Sequence, residues 1–143
     1  MIPSINIYST VAVYVQIENE IRFAIASGKL KAGDQLPSVR QMSETLGVNP
    51  NTVAKSYRDL EVMGLLYTRR GMGVYINKGI QAKCRESCGR QITEKLHEVT
   101  QEAKAAGLSK KEITSIVSKS FALDSSPYSE IPKSILALAK GKK

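Results

Sequence analysis

Asn51, Thr52, Lys55 and Arg58 all end in groups that can donate a hydrogen bond. Steps of one, three and three residues bring them to one side of an α-helix. A carboxamide can meet adenine through two bonds at once, an ammonium can meet guanine or a phosphate, and a threonine methyl can lie against thymine. Arg58, further along, suits a backbone phosphate. Two more groups of residues offer the same chemistry. Ser38 and Arg40 open a preceding segment, where free backbone amides and a guanidinium fork suit a phosphate, or Arg40 reaches a base edge. Arg69, Arg70 and Met72 flank Gly71 and Gly73, and glycines let a backbone come close to a groove.

Other chemistry is sparse. Cys84 and Cys88 stand four residues apart with His97 as the single histidine, a set that could hold zinc or copper, or sense redox state. Small, soft cysteines also fill helical seams, and His97 falls off that seam. No nucleophile–base pair, phosphate-binding loop or metal-ligand spacing is present, so no catalytic residue, metal or cofactor is assigned and an enzyme is not expected.

The elements that must position these groups follow from periodicity and capping. A first helix is expected from about Val11 to Ser27, with Val13, Ile17, Ile21, Ala24 and Ile25 inward. After the loop around Gly33 and Pro37, Ser38 caps a short helix with Gln41 as its capping-box partner, and Gly47 closes it. Asn49 then caps the next helix, with Pro50 at its first position and Val53, Tyr57 and Leu60 on its apolar side. Asn49 thus stands at the polar end that carries Asn51 and Thr52. Two β-prone runs, "LLYT" and "VYI", are split by "RRGMG" and read as a hairpin. Three helices followed by a basic hairpin make a winged helix-turn-helix.

Beyond it, Cys84, Cys88, Ile92, Leu96, Val99, Ala103 and Ala106 recur at steps of four, four, four, three, four and three, a narrow coiled-coil-like seam. Gly107 ends that helix. Ser109 and Glu112 cap another, whose apolar face is Ile113, Ile116, Val117 and Phe121, and "IPKSILALAK" suggests a last short helix before the basic end "KGKK". The expected fold class is mostly α with a small β-wing: an N-terminal winged helix-turn-helix over residues 8–77, then an α-helical hairpin over 78–143.

Charge alone does not choose a partner. The chain carries a net +8, but residues 1–76 hold eight Lys/Arg against six Asp/Glu, while residues 77–143 hold thirteen against seven. No apolar run approaches the ~20 residues of a membrane span, so no membrane partner is expected and a cytoplasmic location is.

The ordered blocks "YVQI", "I.SG.L..GD.LPSVR", "LGVNPNTV.K.YRDLE..GL" and "RRGMGVYI" resemble the DNA-binding domain of GntR-family transcriptional regulators across residues 8–77. The resemblance implies DNA contacts at Arg40, Asn51, Thr52, Lys55 and the "RRGMG" wing. The short helical tail resembles the YtrA-like branch, in which C-terminal helices serve dimerisation. That matches a seam of Ile92, Leu96, Val99 and Ala103, with Ile113, Ile116, Val117 and Phe121, too small to bury itself. The resulting expectation is a homodimeric, sequence-specific repressor on a palindromic operator of double-stranded DNA, its affinity modulated by a signal such as a small-molecule effector. The alternatives are a winged helix used for protein–protein assembly and a nonspecific, nucleoid-type DNA binder.

Overall fold

The computed structural model describes residues 4–139. Its first helix, α1 (Val13–Ala26), buries the expected stripe of Ile17, Ile21, Ala24 and Ile25. The second, α2 (Val39–Leu46), forms both arms of its capping box. The Ser38 hydroxyl oxygen accepts from the Gln41 amide at 3.1 Å, and the Gln41 side-chain oxygen accepts from the Ser38 amide at 2.9 Å. Gly47 then takes a left-handed conformation (φ +68°) that only glycine adopts without strain, which turns the chain within two residues into the next cap. The third helix, α3 (Pro50–Val62), starts where Asn49 Oδ1 accepts from the Asn51 amide at 2.8 Å.

Both α1 and α2 pack against α3. Ile17, Ile21, Val53 and Leu60 are fully excluded from water, and each contributes roughly 1.5–3 kcal/mol by leaving it. Buried polar groups serve as struts. Gln16 accepts from the Asn6 amide and donates to the carbonyls of Asn6 and Val11, all at 2.8 Å, fastening the N-terminal segment onto α1. The Ser56 hydroxyl donates to the Tyr14 carbonyl at 2.9 Å, and the Tyr57 hydroxyl to the Pro37 carbonyl at 2.7 Å. Such bonds remove the penalty of burying these groups and also fix the rotation of α3.

Strands β1 (Leu66–Arg69) and β2 (Gly73–Ile76) form an antiparallel hairpin in the register Leu66↔Ile76, Tyr67↔Tyr75, Thr68↔Val74 and Arg69↔Gly73. The loop before α2 lies along the other edge of β2. The Leu36 amide bonds the Val74 carbonyl and the Ile76 amide the Asp34 carbonyl, both at 2.9 Å.

The chain divides into two compact units between Gly89 and Arg90. Helix α4 (Gln81–Ala105) crosses that boundary, and its seven-residue seam falls into two environments. Cys84 and Cys88 are buried in the core of the first unit, whereas Ile92, Leu96 and Val99 are each more than half exposed. In the second unit the expected Ser109–Glu112 capping box starts α5 (Lys110–Phe121), followed by α6 (Lys133–Leu136) and a 3-10 turn (Ala137–Ala139). No residue of α5 is buried. An apolar groove of about 750 Å³ separates it from the end of α4. The basic end "KGKK" lies outside the described residues.

One buried group is not well satisfied. Glu18 on α1 is 8% exposed, and its Oε1 has no hydrogen-bond partner among the described residues. Burial first, then a hydrogen bond with Asp59 and repulsion from its charge, push the Glu18 carboxyl from near 4.5 up to about 7. Lys55 and Arg22 pull it partly back. An acid raised in this way holds a proton in the fold that it loses on unfolding. The stability it contributes is present below about pH 4.5 and is lost as pH rises to about 7. Glu18→Gln, which cannot ionise, is expected to remove that decline and to melt several degrees higher than the native chain at about pH 8. Parallel melting curves across this window for the two proteins would contradict the assignment.

Candidate nucleic-acid interface

The inner face of α3 is closed and its outer face is open. Val53, Tyr57 and Leu60 are at most 5% exposed, whereas Asn51, Lys55 and Arg58 are exposed and Thr52 is half-buried. Burial raises the Tyr57 hydroxyl far above its usual range, so it stays protonated and keeps donating to Pro37. Asn51 and Thr52 project from the first turn, where their own amides are taken by the Asn49 side chain and carbonyl, so the outward donors there are side chains. Asn49 and Ser38 use their side-chain oxygens as caps, leaving the Asn49 amide nitrogen and the Ser38 hydroxyl proton as their remaining donors.

Two cations on this surface, Lys55 and Arg40, are paired along their own helices. Lys55 Nζ sits 3.2 Å from Asp59 Oδ2 and 4.7 Å from the centroid of the Tyr14 ring, so it leans back toward α1. A hydrogen bond from Glu18 holds the Asp59 carboxyl below its usual value, and the Lys55 bond and the nearby Lys55 and Arg58 charges add to this. Arg40 Nε donates to Glu44 Oε1 at 3.1 Å with its side chain 88% exposed. Exposed i,i+4 pairs of this kind are worth roughly 0.3–0.5 kcal/mol, so a phosphate can displace either partner acid at little cost.

At the hairpin tip Arg69, Arg70, Gly71 and Met72 are exposed, and Gly73 is half-buried with φ +126°. The Arg69 guanidinium lies 6.0 Å from the Tyr75 ring centroid, and that ring stacks on Tyr67 at 5.6 Å. The groups expected from the sequence at α2, α3 and the hairpin thus all belong to the first unit. Sequence reading passed over four neighbours that shape them: Glu44, Asp59, Tyr14 and Gln35. The two acids were signalled by their four-residue spacing from Arg40 and Lys55. Tyr14 and Gln35 reach the surface by long-range packing and have no local signal.

In the second unit, Ile92, Leu96, Val99, Val117 and Phe121 are exposed, while Ala103, Ile113 and Ile116 are half-buried. Leu96, Ile113 and Val117 line the groove, with Thr100, Lys104 and Lys110 among its polar members. Cys84 does not behave as a reactive thiol. Burial, then the adjacent Cys88, push it up to about 11, and its S–H donates to the Arg22 carbonyl at 3.2 Å. Among the described residues no three His, Cys, Asp or Glu side chains gather to hold a metal ion.

Comparison with known proteins places this geometry. The profile of the family described as "Bacterial regulatory proteins, gntR family" matches residues 13–76. The chain is 36% identical over 100 residues to the HTH-type transcriptional repressor YtrA of Bacillus subtilis, covering 70% of this chain and 77% of that one. It is 35% identical over 106 residues to the transcriptional regulator YhcF of the same organism, covering 73% and 86%. A solved GntR family transcriptional regulator from Listeria monocytogenes superposes with a TM-score of 0.60 at 33% identity, over 78% of this chain and 96% of that one. With α1–α3 and the β-hairpin arranged as a winged helix and the similarity running well past them, the chain belongs to the GntR family of DNA-binding transcriptional regulators.

Proposed function

We propose that residues 8–77 read a palindromic operator and that residues 78–143 join two copies into a homodimer, which acts in the cytoplasm as a repressor. The observation that carries this reading is the asymmetry of α3. Its apolar side is locked against α1 by Val53, Tyr57 and Leu60, and its polar N-terminal side is open. Asn51, Thr52 and Lys55 are the base readers. Arg40 and Arg58, with the first amides of α2 after the Ser38 cap, hold phosphates. Arg69, Arg70, Gly71, Met72 and Gly73 lie along or within the adjacent minor groove.

The second unit supports the dimer. Ile92, Leu96 and Val99 form an exposed stripe on a helix whose earlier turns are already used in the core, and α5 buries nothing in a single chain. Isologous packing of two copies covers Ile92, Leu96, Val99, Ala103, Ile113, Ile116, Val117 and Phe121 and relates two α3 helices by a two-fold axis. The half-sites would then lie about one helical turn apart. The relative YtrA is described as a repressor, which favours that sign of regulation. A small-molecule effector has a place to act in the groove between α4 and α5, where a change in helix separation alters the spacing of the reading heads.

Selection of bound duplexes from a random pool should return a palindrome. A pool without enrichment would leave the nonspecific or protein-assembly reading instead. Arg40→Ala and Lys55→Ala should each weaken the selected duplex by roughly ten- to a hundredfold, leaving the sedimentation of the free protein unchanged. Affinity should fall steeply and log-linearly with salt, and binding insensitive to salt would exclude the phosphate contacts. Leu96→Asp places a charge in the apolar stripe. In sedimentation it should yield monomers with an unchanged far-ultraviolet spectrum and greatly reduced operator affinity, whereas a persistent dimer would move the interface elsewhere.

A further inference from the structure

Resting on the DNA-facing hairpin proposed above, we propose that Gln35, in the loop before α2, is the positioning residue that holds the hairpin tip in its binding shape. The two are 37 residues apart in sequence and meet because that loop pairs with β2: Gln35 forms an antiparallel bridge with Tyr75. From there its side chain runs along the hairpin to the tip, where Nε2 donates to the Met72 carbonyl at 2.9 Å. The Tyr75 hydroxyl donates to the same carbonyl at 3.2 Å. A carbonyl oxygen has two lone pairs, so these two donors saturate it. Because the Met72 group can only accept, the nitrogen end of the Gln35 carboxamide must face it, which settles its orientation.

The neighbouring backbone is fitted to this side chain. Gly73 adopts φ +126°, a conformation that side chains disfavour, and a Cβ built there would stand 2.5 Å from Gln35 Nε2. The amide therefore occupies the space that glycine leaves open. On the other side of the turn, the Met72 amide donates to the Arg69 carbonyl at 2.9 Å. Met72 is thus fixed through both its amide and its carbonyl, and Arg70 and Gly71 are carried between the fixed ends. Without the Gln35 bond the tip retains its short turn and the Tyr75 contact but loses this side-chain tie to the loop before α2.

A four-residue exposed turn carrying two arginines pays ordering entropy when it settles on DNA unless it is already ordered. Gln35 orders it in advance. Its effect on affinity should therefore run through Arg70, and it should not depend on any contact of Gln35 with the duplex.

The test is a double-mutant cycle of Gln35→Met, nearly isosteric but without a donor, and Arg70→Ala. Binding is read by anisotropy of a fluorescein-labelled duplex taken from the selected pool, and amide exchange is followed at Met72 and Gly73. Q35M should weaken binding by up to about tenfold, the size of one neutral hydrogen bond, and should speed exchange at the tip with no change in melting temperature. In the R70A background its effect on affinity should largely vanish. If R70A weakens binding and Q35M does not, or if the two effects add in full, the positioning role fails while the DNA-facing hairpin stands. If R70A itself leaves affinity and salt dependence unchanged, the hairpin does not face DNA and both readings fall.

Discussion

The polar surface of the first unit depends on the burial of one side of α3. Val53 and Leu60 are fully excluded from water and Tyr57 nearly so, and the Ser56 and Tyr57 hydroxyls reach out of that face to carbonyls on the segments before and behind it. Burial of the apolar stripe sets which side of α3 faces inward, and two directional hydrogen bonds to fixed carbonyls narrow its rotation further. A rotation of one residue's pitch would bury Asn51 or Lys55 and expose Val53, so the open face is specified by what lies opposite it.

The charges on that face then follow a second rule. Two of its cations have an acid one turn away, Arg40 with Glu44 and Lys55 with Asp59, and both pairs are weak because they are exposed. Pairing of this kind keeps a basic surface from repelling itself. The Lys55 arrangement is the more constrained of the two. The Tyr14 ring supports the ammonium from α1, and Asp59 is itself tied to Glu18, a buried acid with an orphaned oxygen. Glu18 is thus linked through Asp59 to the ion pair that Lys55 makes on α3.

What the sequence made legible is what short-range chemistry decides. The Ser38–Gln41 and Ser109–Glu112 boxes, the Asn49–Pro50 start and the Gly47 turn were readable because a cap involves groups three residues apart at most. The hairpin was readable from its glycines. Periodicity, in contrast, reports a face and says nothing of its partner. The steps of four, four, four and three from Cys84 to Val99 trace one continuous seam, yet Cys84 and Cys88 close the core of the first unit while Ile92, Leu96 and Val99 are exposed. Tyr14 under Lys55 and Gln35 at the hairpin tip were illegible for the same reason: each contact joins segments tens of residues apart, and no local pattern encodes it.

The division of α4 changes what one apolar seam does along a single helix: its first turns close the core of the first unit, and its later turns form an exposed stripe of Ile92, Leu96 and Val99. Small, soft side chains suit Cys84 and Cys88 because they fill buried space at the root of α4, and burial keeps the Cys84 thiol protonated, so it adds no charge that would need a partner there.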